Sequence, residues 1–286
     1  MSPLANRPFK KMNGLGNKII VLDLRGTQIA VAPGEARSIN GAEGLSFDQL
    51  MVIHDPRRPD TLAYVSILNS DGSRAEACGN GTRCVAWALS GHAASQTMRL
   101  ETDAGVVSCE ADGDGGFTVD MGPAKFGWSD IPLRTPCADT GAVVLDNIPS
   151  GLNPASVVNV GNPHAVFWVD DLDSFDLQRI GPGLETHPMF PAKANITLAR
   201  LISRSHVRIK VWERGAGETR ACGTAACATA AAAYRKGVTE NELRVSLPGG
   251  DLGIRIRSQD AHILMSGPVE FEFEGRFSPK LFTATA

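Results

Sequence analysis

The chain has 286 residues, of which 43% are hydrophobic and 21% charged. Those proportions exclude a disordered or fibrous chain and fit one large or two smaller globular domains. The formal net charge is -3 and aromatics are only 6%, so neither a general basic field nor stacking platforms point to nucleic acid. The longest apolar run, the alanine-rich stretch at 225–233, is too short to span a bilayer, and no export signal follows Met1. The expectation is a cytoplasmic protein with no membrane partner. In that reducing compartment six cysteines do not imply three bridges.

In chain order, Ile19-Ile20-Val21-Leu22-Asp23 reads as a buried strand entered from the Gly-rich segment Asn13-Gly14-Leu15-Gly16-Asn17. A second strand is expected at 62–68, ending in the turn Asn69-Ser70-Asp71-Gly72. A helix follows at 81–90, then strands at 98–102, 106–110 and 117–121 separated by Gly or Asp turns. The second half begins again with strands at 156–160 and 165–169, a short helix at 176–181 and a strand at 207–211. After the turn Gly215-Ala216-Gly217, an alanine-rich helix spans 223–234, and strands are expected at 243–247, 252–256 and 262–267. The stretch after Glu270 gives no clear signal.

The halves share an order of events. Ala77-Cys78-Gly79 and Ala221-Cys222-Gly223 lie 144 residues apart, each opening a helix. Asn69 stands nine residues before the first cysteine and Glu213 nine before the second. This reads as an internal duplication with a break near 122–135.

A cysteine at a helix start sits beside backbone N–H groups that lack an intrahelical partner. Those groups and the helix dipole favour the thiolate over its usual pKa of about 8.5, and they can also hold a carboxylate. Two such cysteines on opposite faces of one carbon could remove and return a proton with inversion. Two readings stand at this point, because buried free cysteine is also a common small core residue. Cys84, Cys109, Cys137 and Cys227 take the second reading, with Cys84 and Cys227 packing inside the helices. There is no Cys-x-x-Cys pair to suggest a metal site or a redox dithiol.

Further segments carry a resemblance. They are Lys11-Met12-Asn13-Gly14-Leu15-Gly16-Asn17, Phe47-Asp48-Gln49-Leu50, Asn69-Ser70-Asp71-Gly72-Ser73 and Ala77-Cys78-Gly79-Asn80-Gly81-Thr82-Arg83-Cys84. Later come Gly161-Asn162-Pro163-His164, Gly181-Pro182 through Phe190-Pro191 to Asn195, Glu213-Arg214-Gly215-Ala216-Gly217-Glu218-Thr219 and Ala221-Cys222-Gly223-Thr224. As an ordered set over about residues 9–267, they resemble the diaminopimelate epimerase family of pyridoxal-phosphate-independent racemases and epimerases.

The resemblance implies an α/β (α+β) fold of two pseudo-symmetric domains, each a β-barrel-like sheet around a central helix, with the active site in the cleft between them. The domains would be 1–125, carrying Cys78, and 126–270, carrying Cys222, with a tail at 271–286. It implies conversion of LL- to meso-2,6-diaminopimelate by Cys78 and Cys222, without cofactor or metal, in a homodimer. By the motif match, Asn69, Asn162, Asn195 and Arg214 would recognise the distal end of the substrate. Asn17, Gln49 and Glu213 would meet the reacting amino group. Gly79, Asn80, Gly223 and Thr224 would offer backbone N–H groups to the reacting carboxylate. His164, with Glu213, would orient or tune the cysteines.

Two positions depart from the family pattern. Lys18 stands where an acidic residue is frequent, and Ala225 stands where Gly is frequent. Three alternatives are weighed against this reading: a proline-type racemase with the same thiol pair, a cysteine hydrolase, and a binding module without α-proton exchange. The distal-binding set argues against the first, and the paired cysteine turns have no role in the second.

Overall fold

The computed structural model describes residues 2–75, 78–91, 97–112, 116–152 and 154–283. Ala77 of the first cysteine motif lies outside the described residues. The chain divides into two units, Met1–Val119 with Ser266–Ala286, and Asp120–Met265. Among the described residues no helix is long and apolar enough to cross a membrane.

In the first unit, β1 (Pro8–Gly14) and β2 (Asn17–Asp23) form an antiparallel hairpin with Gly14 opposite Asn17. The two turn residues, Leu15 and Gly16, have φ of 64° and 82°. Both therefore adopt the left-handed conformation that a two-residue hairpin turn requires. After α1 (Pro33–Asn40), β3 (Gln49–His54) pairs parallel with β2, and β4 (Ala63–Asn69) pairs antiparallel with β3. β5 (Arg74–Ala75) turns back along β4 and leads to α2 (Gly79–Ser90). Then β6 (Met98–Thr102) joins β4 in parallel, β7 (Gly105–Asp112) pairs antiparallel with β6, and β8 (Gly116–Pro123) follows.

The second unit repeats this plan eight strands later. β9 (Ala155–Asn159) and β10 (Pro163–Trp168) are antiparallel. After α3 (Leu177–Glu185), β11 (Asn195–Ser203) lies parallel to β10 and antiparallel to β12 (His206–Glu213). β13 (Gly217–Thr219) turns back along β12 into α4 (Gly223–Arg235). β14 (Glu242–Leu247) joins β12 in parallel, β15 (Gly250–Ile256) pairs antiparallel with β14, and β16 (His262–Gly267) follows. Strand pairing, and not only residue order, is duplicated.

Each unit encloses its second helix. α2 packs on β1, β2, β3 and β7, and α4 on β9, β10, β11, β12, β14 and β15. Ten of the thirteen α4 residues are buried, seven of them alanines. A helix covered on so many sides needs short side chains if the strands are to approach it, and alanine supplies them at full helix propensity. Cys84 and Cys227 are fully buried within α2 and α4, as packing residues should be.

Several expectations are revised. α2 begins two residues earlier than the sequence suggests, so Cys78 itself is the capping residue. α3 runs on through Pro182 to Glu185, because its buried stripe of Leu177, Ile180 and Leu184 continues past the proline. Residues 271–283 are not a separate tail, and the second unit ends before 270. The chain leaves the second unit at Met265. β17 (Glu270–Arg276) then pairs antiparallel with β1. Its Phe/Glu alternation reads as a half-buried strand, but all of its residues except Gly275 are exposed.

Candidate active site

Cys78 and Cys222 occupy equivalent positions. Each is the residue before its helix, with extended backbone at φ -151°, ψ 101° and φ -141°, ψ 106° respectively. Both are free thiols. Cys78 Sγ accepts from the Gly81 N–H at 3.3 Å, and its carbonyl accepts from the Thr82 N–H and hydroxyl, both at 2.8 Å. The Ala226 N–H closes the first turn of α4 onto the Cys222 carbonyl at 3.1 Å. Gly79 and Asn80, and likewise Gly223 and Thr224, are the first two residues of their helices, where N–H groups have no intrahelical acceptor.

In the first unit, two amide oxygens face Cys78 Sγ: Gln49 Oε1 at 3.7 Å and Asn17 Oδ1 at 3.9 Å. Each is oriented by its own NH2 group. Asn17 Nδ2 donates to Asp48 Oδ2 at 3.2 Å, and Gln49 Nε2 to Asn69 Oδ1 at 3.5 Å. Asn69 Nδ2 in turn donates to Ser73 Oγ at 3.0 Å. The pairing explains the grouping, since Gln49 is opposite Asn69 across β3 and β4. Gly14 brings the hairpin tip to the helix, because a Cβ there would lie 3.1 Å from both Cβ and O of Asn80. The result is a thiol beside two oriented acceptors, with Asn69 next to them.

In the second unit, Cys222 is only 4% exposed. Burial pushes its thiol well above the usual range, and the Glu213 carboxylate pushes it further; the Thr224 hydroxyl, 3.4 Å away, opposes them. Cys222 therefore rests as the protonated thiol at neutral pH. The Thr219 hydroxyl donates to Glu213 Oε1 at 2.5 Å and orients it.

A second group is centred on His164. His164 is fully buried, its Nε2 2.8 Å from Asn162 Oδ1 and 3.5 Å from Asn195 Nδ2. Asn195 is opposite His164 in the parallel β10–β11 pair. It donates to the Pro163 carbonyl at 3.2 Å and accepts from the Arg214 N–H at 2.9 Å. Arg214 is exposed, and its Nη1 donates to the Ala192 carbonyl at 2.9 Å. Burial lowers the His164 pKa to about 3, with the Arg214 charge a smaller contribution. The imidazole is thus neutral and donates from Nε2 to Asn162. Its hydrogen-bond partner is Asn162, and the Asn195 NH2 group lies against the ring without bonding to it.

The sequence profile of the family described as diaminopimelate epimerase matches residues 9–127 and 156–272. The chain belongs to the diaminopimelate epimerase family. A diaminopimelate epimerase of Rhodopseudomonas palustris (strain BisB18) is 52% identical over 289 residues, covering 100% of both chains. One from Methylorubrum populi is 52% identical over 292 residues, with 99% of this chain and 98% of the relative covered. Among solved structures, a predicted epimerase from Pseudomonas aeruginosa aligns with a TM-score of 0.69 at 19% identity, over 97% of this chain and 100% of that one. A hydroxyproline epimerase from Agrobacterium vitis, bound to trans-4-hydroxy-L-proline, aligns with a TM-score of 0.66 at 14% identity, over 98% and 94%. At such identities these two structures establish the shared fold.

The two departures from the family pattern sit where the local structure accommodates them. Ala225 is fully buried as the third residue of α4, where alanine is favourable. Lys18 is exposed and exchanges backbone hydrogen bonds with Asp48, its N–H reaching Asp48 Oδ2 at 2.7 Å. Sequence reasoning left Asp48, Ser73 and Thr219 without a role, although each holds a site side chain. Asp48 was the accessible one, since an acid directly before Gln49 faces the same hairpin.

Proposed function

We propose that this diaminopimelate epimerase inverts one α-carbon of 2,6-diaminopimelate with Cys78 and Cys222 as its two acid–base groups. The reaction interconverts the LL and meso forms, a step of lysine and peptidoglycan precursor synthesis. One sulfur takes the α-proton as thiolate, and the other returns a proton to the opposite face as thiol. The observation that carries the assignment is the matched pair of helix-capping cysteines, each beside groups that suit an amino acid. Cys222, held protonated, suits the donor role when the reaction begins at the Cys78 face.

Asn17 and Gln49 offer acceptor oxygens to the reacting ammonium group, and Glu213 offers a carboxylate. The N–H groups of Gly79, Asn80, Gly223 and Thr224 would take the reacting carboxylate and stabilise negative charge as the proton leaves. Asn69, Asn162, Asn195 and Arg214 would hold the distal amino acid end, with Arg214 able to grip its carboxylate in two prongs. His164, neutral and buried, orients Asn162. The reaction as proposed needs no cofactor and no metal.

The finer partner calls belong to the same proposal. The epimerase works as a homodimer in the cytoplasm, where its thiols stay reduced. Phe271 and Phe273 are exposed on β17, an apolar pair suited to a protein interface. The net charge of -3 offers nucleic acid nothing.

The decisive experiment is NMR of the reduced protein with LL-2,6-diaminopimelate in deuterated water. The expected outcome is the meso isomer with solvent deuterium at the inverted carbon, abolished by Cys78→Ala or Cys222→Ala. Normal turnover by either variant would sink the two-base assignment.

A further inference from the structure

The segment from Gly181-Pro182 to Phe190-Pro191 has no part in the chemistry above. Its helix, α3, nevertheless ends on a buried acid. The Glu185 side chain is 8% exposed and accepts from three donors. Trp212 Nε1 reaches Oε2 at 2.8 Å, while Lys193 Nζ and the Gly215 N–H reach Oε1 at 3.2 and 3.3 Å. The Glu185 carbonyl also accepts from the Ala194 N–H at 3.2 Å.

These donors bracket the distal-binding residues. Trp212 and Gly215 flank Glu213 and Arg214, and Lys193 stands two residues before Asn195. Lys193 itself has φ 58°, an uncommon conformation outside glycine, at the turn that starts β11. The indole is fixed from its other side too. A Cβ on Gly181 would fall 2.4 Å from Trp212 Cδ2, so the absent side chain lets the ring lie against α3. One buried carboxylate thus ties the end of α3 to the two backbone segments that present Asn195 and Arg214. All three donors are N–H groups, so the position needs an acceptor on both oxygens.

We propose that Glu185 is a positioning residue for substrate recognition, setting the 213–217 turn so that Arg214 and Asn195 meet the distal end of the substrate. The inference rests on the distal-binding role assigned above to those two residues.

The test uses the full chain and steady-state kinetics with LL-2,6-diaminopimelate. Glu185→Gln keeps the volume but turns an NH2 group toward an N–H donor. We expect KM to rise by about tenfold with kcat changed less than about threefold, as for loss of binding shared by ground and transition states. The Trp212 indole 1H–15N resonance should move and exchange faster. Adding Trp212→Phe removes the donor facing that NH2 group, leaving the Gln oxygen to Lys193 and Gly215. The double variant should therefore recover most of the lost KM. In an Arg214→Leu background, Glu185→Gln should have little further effect, because the two changes act through one contact. An unchanged KM in folded Glu185→Gln, a loss confined to kcat, or no recovery in the double variant would overturn the proposal. If Glu185→Gln does not fold, Trp212→Phe alone should raise KM about threefold, and an unchanged value overturns it. Arg214→Leu with normal KM would instead overturn the distal-binding reading itself, which separates the two failures.

Discussion

His164 shows how burial decides the role of a single side chain. A histidine near a reacting centre invites an acid–base reading, since its usual pKa is about 6.5. Here the ring is fully buried beside a cationic arginine, and its pKa falls to about 3. It is an uncharged donor that holds Asn162, with Asn195 packed against the same edge of the ring. We expect its ring resonances to stay constant between pH 5 and 8 in heteronuclear NMR; a titration midpoint near 6.5 would refute this. The stability consequence has a definite sign. Unfolding releases the imidazole to its usual pKa, so between about pH 6.5 and pH 3 the unfolded chain binds more protons. His164 therefore contributes stability above that window and loses it as the pH falls. The residue number and its motif were legible in the sequence, but this role was not, because a charge state depends on burial that no local pattern reveals.

At the scale of elements, legibility followed the strength of the local signal. The helices after Cys78 and Cys222 were readable from the Gly-containing starts and the alanine run, and most second-half strands from alternation. β3 was not, since Gln49-Leu50-Met51-Val52-Ile53-His54 is buried along its middle and lies parallel to β2. Such a strand has no polar alternate residues to mark its period. β17 was not readable either, because its partner β1 lies at the other end of the chain and all of its residues except Gly275 are exposed. The turn after β4 was legible and has a sharp consequence. Gly72 has φ 84°, and a Cβ on it would sit 2.5 Å from the Pro33 carbonyl oxygen at the start of α1. The same turn holds Asn69, whose N–H donates to the Ser73 carbonyl at 2.8 Å. Gly72→Ala should cost about 1–3 kcal/mol, as overpacking against fixed backbone does. Urea unfolding checks this: the midpoint should fall at constant m value. An unaltered midpoint would show that the turn and α1 can separate freely.

The whole molecule repeats one topology twice, but the copies are strung differently. The second unit is one continuous segment, whereas the first is completed by the last twenty-one residues, Ser266–Ala286. That closure rests on specific contacts. β17 pairs with β1, the Phe277 N–H donates to the Arg7 carbonyl at 3.0 Å, and the Asn6 N–H donates to the Phe277 carbonyl at 2.8 Å. The Phe277 ring is fully buried and stacks on Phe9 with centroids 4.6 Å apart, in a core that includes Leu4, Leu22, Leu24 and Phe47. A buried aromatic cut back to alanine loses its transfer free energy and leaves a cavity, so Phe277→Ala should cost about 3–5 kcal/mol. Every one of these partners belongs to the first unit. The loss should therefore appear in native-state hydrogen exchange as faster opening of the β1 and β2 amides. Because Cys78, Asn17 and Gln49 are built on that same unit, the proposed role of Cys78 requires epimerisation to fail on heating at the lower temperature at which β1 opens. Unchanged protection of β1 in Phe277→Ala would mean that the returning segment decorates the first unit without holding it closed.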